Sequence, residues 1–363
     1  MRNILIIGGG GLIGQSIAAR HLDGGDNVYI YDTRVNPYND YSCLKGEDLS
    51  SERSIEDVLR LKCFDIISHQ AAYVGVGESQ YSINKYVENN VGFTGRLLQA
   101  ISNSKSHAPS KILLAGSMGP YGEGPYFCSE HKVVYPDRLG VENPKCPICA
   151  SDVKSVTIDE DSERHPKSIY GVTKMSQEDL LRVFSSVHKI PAVSLRYFSV
   201  YGENSNPNNP YTGVLSVIAN KIINSDSVQL YEDGEQSRDL VSAIDVAEAH
   251  WVASFLDNKN LFEAYNIGTG ISISMKSVAV RMIELLDPDK KLVFTNEYRN
   301  GDIKHSLANC EKFMKATGWS PRLRIDDAIV QYCDFIKLNW KKFVTDQDTS
   351  EVEHNRLKKA GVI

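Results

Sequence analysis

Asn3-Ile4-Leu5-Ile6-Ile7-Gly8-Gly9-Gly10-Gly11-Leu12-Ile13-Gly14 decides the fold, and Gln15 to Leu22 continues it in a helical pattern. The apolar run suits a buried parallel strand. The glycines fit two registers, Gly8/Gly11/Gly14 at three-residue spacing or Gly9/Gly11/Gly14 as GxGxxG. Either lets the backbone turn sharply and brings a pyrophosphate to the helix N-terminus. Val28 to Tyr31 reads as a second strand, ending at Asp32, 18 residues beyond Gly14. A carboxylate there takes the adenosine ribose hydroxyls and repels a 2′-phosphate, which favours NAD over NADP. Arg34 nearby moderates that preference. Gly8, Gly11, Leu12, Ile13, Gly14 and Asp32 are therefore the expected contacts of a bound dinucleotide.

Working outward, strand candidates recur at Asp65 to His69, Lys111 to Leu114 and Ala192 to Arg196. Helical patterns fill the segments near Ser79 to Ser102 and Ile169 to His188. Such alternation predicts an α/β fold, a doubly wound parallel sheet covered on both faces. The 363 residues suffice for one large or two moderate domains. With 46 acidic against 40 basic residues, no basic excess points to nucleic acid. Apolar runs are too short for a membrane span. Met1-Arg2-Asn3 leads straight into a strand, leaving no room for a signal peptide. Seven cysteines, an odd count, argue for a reducing, cytoplasmic setting. Residues 345–363 are highly charged and read as a tail or a peripheral helix.

Tyr170 and Lys174 stand four apart, on one helix face. A phenol with an ordinary pKa of about 10 is a poor base at neutral pH, and a nearby ammonium lowers it. Ser117 follows the strand from Lys111 and precedes Tyr121-Gly122. A serine there faces the crevice at the carboxyl ends of the strands, where ligands bind in such sheets.

With these residues in place, the chain resembles the extended short-chain dehydrogenase/reductase family, specifically its nucleotide-sugar epimerases and dehydratases. The resemblance runs from Asn3 to Tyr332. It rests on the glycines, Asp32, His69-Gln70-Ala71-Ala72, Asn90-Val91-Gly92, Ser117, Tyr121-Gly122 and Tyr170/Lys174. It continues through Arg196-Tyr197-Phe198, Gly234, Arg238-Asp239, Asn266-Ile267-Gly268 and Arg299-Gly301-Asp302. It implies that Tyr170 takes the proton of a sugar hydroxyl, Ser117 bonds the same oxygen and Lys174 binds the nicotinamide ribose. Asp48 and Leu49 match the adenine-side pair, with Glu47 where the family usually has glycine. Ala71, Ala72 and Asn90 would line the NAD path, and Tyr197 would lie by the nicotinamide. Arg238 and Arg299 match arginines that grip the substrate diphosphate. Ser199 stands where many epimerases have asparagine, in the same substrate region.

The resemblance also implies a Rossmann domain of residues 1–198 and 239–268, and a smaller α/β substrate-binding domain of 199–238 and 269–340. It implies a homodimer through the helices near Ser79 to Ser102 and Ile169 to His188. Sugar dehydratases carry an acidic pair after the serine, and decarboxylases usually a glutamate. Here the stretch is Ser117-Met118-Gly119-Pro120, so hydride removal and return, a 4-epimerisation through a 4-keto sugar, is the expected chemistry. An NAD(P)H-dependent keto-sugar reductase and a non-catalytic NAD-binding sensor are the alternatives.

Residues 122–163 hold an insertion carrying Cys128-Ser129-Glu130-His131 and Cys146-Pro147-Ile148-Cys149. Two such pairs separated by fourteen residues suit a tetrahedral zinc site; a metal-free loop and a redox pair fit the same spacing. Ala150 replaces the glycine that commonly follows such a knuckle. With Tyr-Gly-Glu-Gly at 121–124, the insertion resembles the dTDP-L-rhamnose 4-epimerase branch. Cys43, Cys63, Cys310 and Cys333 are expected to be buried small hydrophobes.

Overall fold

The computed structural model describes residues 1–363 apart from 34–43, 51–52, 105–107, 139, 204, 212, 259 and 346–347. Arg34 and Cys43 thus lie outside the described residues. At its centre is a parallel sheet of seven strands. Their order across the sheet is Phe262–Ile267, Ala192–Tyr197, Lys111–Ser117, Ile66–His69, Asn3–Ile7, Asn27–Tyr31 and Glu47–Asp48. Ile4 to Ile7 are 0–1% exposed, as a strand covered on both faces requires. One face packs on the helices Leu12–Asp23 and Ala243–Ala253, the other on Phe93–Asn103 and Ile169–His188. The architecture is the doubly wound Rossmann fold.

The order of connection reverses between Asn3–Ile7 and Ile66–His69, so the crevice opens where these strands end. There the two loops touch. A Cβ on Gly8 would come within 2.5 Å of the Ala71 backbone nitrogen, and Gly8 has φ +84°. Only glycine fits that corner.

Residues after Tyr197 build a second cluster of elements. Ser199–Tyr201, Ser237–Ser242 and Ser272–Ser274 form a three-stranded sheet. Ser227–Leu230 pairs with Lys291–Phe294. The helices Val214–Asn224, Met275–Leu286 and Ile325–Phe343 share a core around Ile218, Met282 and Ile329. The stretch near Ser79 to Ser102 is less regular than its sequence pattern. Short turns at Val76–Ser79 and Ile83–Tyr86 lead into a π-helical segment, Val87–Gly92, before the α-helix Phe93–Asn103.

The charged end of the chain is a docked helix, Thr349–Lys359. Its buried Glu353 accepts hydrogen bonds from Tyr81 and Tyr211, both at 2.9 Å, and Leu357 packs against Gly77. Its hydrophilic composition hid these anchors. Cys310 and Cys333 are buried, and burial raises both thiols to about 12. Cys63 corrects the expectation: it is exposed, in the connection after the helix Ile55–Leu61, where no core element covers its thiol. Among the described residues, no helix is long and apolar enough to cross a membrane.

Candidate active site

Ser117 ends its strand opposite Tyr197 on the neighbouring one. Tyr170 sits in the first turn of Ile169–His188, whose N-cap Ser168 accepts the Gly171 amide. A hydroxyl at this position satisfies one of the helix's unpaired first-turn donors. The helix is fastened to the sheet by Glu178, which receives Arg196 at 2.6 and 3.0 Å and Ser194 at 2.8 Å. That anchoring brings the Tyr170 hydroxyl to 3.3 Å from Ser117 Oγ, to which it donates. The Gly119 amide also donates to Ser117 Oγ, at 3.0 Å, leaving the serine proton available to another acceptor.

Lys174, one turn on, is buried and donates to the Ala115 carbonyl at 2.9 Å. Burial pulls its ammonium down to about 7. Burial likewise raises the Tyr170 phenol, opposed only by the Ser117 bond. The sequence points to the ammonium's lowering influence; in the ligand-free protein burial prevails, and what opposes it is Ser117 rather than Lys174. A low-dielectric pocket penalises the phenolate until positive charge arrives.

The glycine turn fits a dinucleotide. Gly11 caps the helix Leu12–Asp23 without a side chain to occupy the first-turn amides. A Cβ there would meet only the Gly8 carbonyl oxygen, at 3.5 Å, so a phosphate can approach closely. On Gly14, by contrast, a Cβ would fall 2.2 Å from that oxygen: this glycine serves helix–strand packing. Asp32 accepts the Gly10 amide at 2.7 Å, which holds its carboxylate beside the turn. Asp48 accepts the Ser50 amide, and Leu49 is buried. Ala71 and Ala72 line the switch-point loop. Asn90 lies in the π-helical turn, its amide bonding both backbone groups of Tyr73 and the Thr173 hydroxyl. It fixes the cofactor-side loop to the Tyr170 helix.

Arg299 forms a two-point pair with Asp302, at 2.9 and 2.7 Å, over the Tyr231 ring. Arg238 donates to the carbonyls of Ser237, Ile303 and Lys304, so it is braced against the segment following Arg299. Ser199 starts the strand Ser199–Tyr201, which runs beside Ser237–Ser242. Two motif residues, Tyr121 and Arg196, turn out to be scaffold. Tyr121, in the helical turn Gly119–Tyr121, receives Arg196 at 2.6 Å and donates to Asn266 at 2.8 Å, tying that turn to two strands.

In the insertion, Tyr126–Cys128, Lys132–Val134 and Lys154–Ser155 form a small antiparallel sheet. Its core is Tyr126, Cys128, Val134 and Cys146. The ligand atoms of Cys128, His131, Cys146 and Cys149 lie within 4.8 Å of one another. A zinc tetrahedron with about 2.3 Å bonds to sulfur has edges of about 3.8 Å. Cys128 Sγ lies 3.7 Å from both Cys149 Sγ and His131 Nδ1, and Cys146 Sγ 3.6 Å from that nitrogen. Backbone amides lower the Cys128 thiol to about 5, and Ser151, 2.9 Å away, lowers Cys149. Ala150 takes φ +59°, the left-handed conformation that the usual glycine adopts freely.

Sequence reasoning did not single out Ser68, His21, His250 and Asp26, which join Gln70 beneath the site. They lie far apart in sequence, and no local motif flags them.

Comparison with known proteins agrees with this geometry. The chain is 29% identical to the dTDP-L-rhamnose 4-epimerase of Burkholderia thailandensis, over 90% of this chain and 93% of that one. It is 26% identical to a putative UDP-glucose 4-epimerase of Methanocaldococcus jannaschii, over 93% and 99%. Among solved structures it resembles the NAD complex of the Thermus thermophilus UDP-glucose 4-epimerase. That match has TM-score 0.73 and 25% identity over 92% of this chain and 99% of the other. Residues 4–268, most of the chain, match the model of one family. The chain therefore belongs to the NAD-dependent epimerase/dehydratase family.

Proposed function

We propose that this enzyme inverts C4 of a nucleotide-activated sugar, with dTDP-L-rhamnose or a similar deoxyhexose as substrate. The observation that carries the reading is the Tyr170–Ser117 hydrogen bond at the carboxyl edge of the sheet, with Lys174 buried behind it. Ser117 donates to the sugar's 4-oxygen, and Tyr170 removes that oxygen's proton and later restores it. The Lys174 ammonium favours the phenolate and binds the nicotinamide ribose. Bound NAD supplies a reversible hydride acceptor at C4, so loss from one face and return to the other inverts the centre without net redox. Gly8, Gly11, Leu12, Ile13, Gly14, Asp32, Asp48, Leu49, Ala71, Ala72, Asn90 and Tyr197 form the cofactor's path; Ser199, Arg238 and Arg299 hold the diphosphate side.

No acid stands in Ser117-Met118-Gly119-Pro120 to expel a hydroxyl. The next one, Glu123, is occupied by the Tyr126 hydroxyl at 2.6 Å and the Lys304 amide at 2.9 Å. That supports epimerisation over dehydration. Residues 1–198 with 239–268 serve the cofactor, and 199–238 with 269–340 the substrate.

The edge lengths and the lowered thiols of Cys128 and Cys149 support one structural zinc on Cys128, His131, Cys146 and Cys149, although burial raises Cys146, with no open position for chemistry. A homodimer is supported by the exposed Val172, Leu180, Val183 and Val187 on the Tyr170 helix, with Ile83 and Val87 on the adjacent segment. Cysteine usage supports a cytoplasmic setting. Incubation with a panel of nucleotide sugars and separation of products tests the activity. The reading expects a C4-inverted product without accumulation of NADH. Stoichiometric NAD(P)H consumption, or no turnover of any member, overturns it.

A further inference from the structure

A single file of hydrogen bonds runs from the far end of the helix Leu12–Asp23 to the carboxyl edge of the sheet. Arg2 holds Asp26 through both carboxylate oxygens, at 3.0 and 2.6 Å. Asp26 Oδ2 lies 2.7 Å from His21 Nδ1. His21 Nε2 lies 3.0 Å from His250 Nδ1, and His250 Nε2 lies 2.8 Å from Ser68 Oγ. Gln70 Nε2 reaches Ser68 Oγ at 3.0 Å, and the Tyr197 hydroxyl reaches Gln70 Oε1 at 3.3 Å. His21, His250 and Ser68 are 0% exposed, so water cannot substitute for the His21–His250 and His250–Ser68 links.

The charge at one end fixes the direction of every bond. Asp26, a carboxylate paired with Arg2, can only accept, so His21 carries its proton on Nδ1. Burial keeps both imidazoles neutral. His21 Nε2 therefore accepts from His250 Nδ1–H, and His250 Nε2 accepts the Ser68 proton. With that proton committed, Ser68 Oγ accepts the Gln70 amide N–H. Gln70 must then turn its carbonyl oxygen to Tyr197, whose hydroxyl donates. Reversing any link would set acceptor against acceptor at Asp26.

Tyr197 stands in register with Ser117 on the adjacent strand, and the Tyr197–Gln70 bond crosses that strand from one neighbour to the other. We infer that the chain Asp26–His21–His250–Ser68–Gln70 locks the Tyr197 hydroxyl as an acceptor toward the cofactor and biases the site toward the oxidised, cationic nicotinamide. This rests on the NAD reading above. A phenol that has given away its proton presents only lone pairs, the negative end of its dipole, to whatever approaches. Bonds aligned head to tail polarise one another and sharpen that preference. His21, His250, Ser68 and Gln70 are then positioning residues acting through Tyr197.

The test is the ratio of dissociation constants for NAD⁺ and NADH, measured by calorimetry on the purified protein without sugar. Tyr197→Phe and Ser68→Ala should each shift the ratio toward NADH by roughly 3- to 10-fold, the worth of one hydrogen bond. The double variant should shift it no further, because both changes cut one path. Ser68→Thr, which keeps a hydroxyl, should restore it. If Ser68→Ala fails to fold, Asp26→Asn, remote from the cofactor, should move the ratio in the same direction. An unchanged ratio in the folded variant, or a double variant equal to the sum of the singles, overturns the inference. A wild-type protein binding neither nucleotide form overturns the cofactor reading itself, and this inference with it.

Discussion

The carboxyl edge of the large sheet and the Cys/His insertion sit next to each other in the chain, yet they differ sharply in how much apolar core holds them. The strand Lys111–Ser117, which delivers Ser117, is buried at every position. The insertion that follows has a core of four buried residues and leaves Phe127 and Val133 at 42% and 56% exposed. About 25 cal/mol per Å² of buried apolar surface can hold the first in place. The second has little such surface to bury, and the zinc proposed above would supply the rest of its order. Rigid burial suits a site that must keep a phenol within 3.3 Å of a serine; a metal clip suits an excursion outside the core.

The largest break in this contrast should come from Tyr170→Phe. Losing one proton-transfer group costs about 10²–10⁴-fold in rate. NAD binding, measured by calorimetry, should change little; near-normal turnover would remove Tyr170 from the mechanism. Lys174→Met should follow, and its signature is a pH profile. The phenolate is the active form, so turnover climbs as pH rises through the Tyr170 pKa. Without the ammonium the phenolate loses that nearby positive charge and the climb moves to higher pH, at about tenfold in rate per unit below it. Lys174 keeps its own charge only below about pH 7 in the ligand-free site, so the contrast with wild type should be widest there. A profile that does not move would deny the electrostatic role.

On the insertion side, Cys146→Ser should abolish stoichiometric zinc, read by metal analysis, and open residues 122–163 to protease. A structural zinc is worth about 10–16 kcal/mol to small metal-held folds. NAD binding should persist, because the Gly8 to Gly14 turn belongs to the other regime. Wild-type protein grown with ample zinc but containing none would dismiss the site. The smallest effect should be a gain. Ala150→Gly relieves a left-handed residue at φ +59° and should stabilise the insertion by about 1 kcal/mol. A loss in melting temperature would show that Ala150 is not strained.

Much of the first region was legible in the sequence because its chemistry is local. The glycine turn, the Tyr170/Lys174 pair and the strand-end Ser117 each announce themselves within a few residues. The Cys/His spacing was equally local, and the four side chains do converge. What stayed hidden was long-range pairing. Glu353 meets Tyr81 across 272 residues, so a charged segment that read as a tail or a peripheral helix gave no sign of where it docks. His21 meets His250 across 229 residues, and neither belongs to a local motif. The π-helical turn at Asn90 also gave no signal, since its extra residue serves tertiary bonds to Tyr73 and Thr173. Cys63 misled because cysteines are commonly buried, whereas its loop offers no cover.

In the proposed epimerisation one hydride leaves C4 and returns to the opposite face of the same carbon. A dTDP-L-rhamnose labelled with deuterium at C4 tests it most directly. Incubated with the enzyme and analysed by mass spectrometry and proton NMR, the inverted sugar should keep its deuterium at C4, with none in solvent and none accumulating in NADH. An inverted product that has exchanged its deuterium for solvent hydrogen would contradict the account, as would deuterium collecting in free NADH beside a 4-keto sugar.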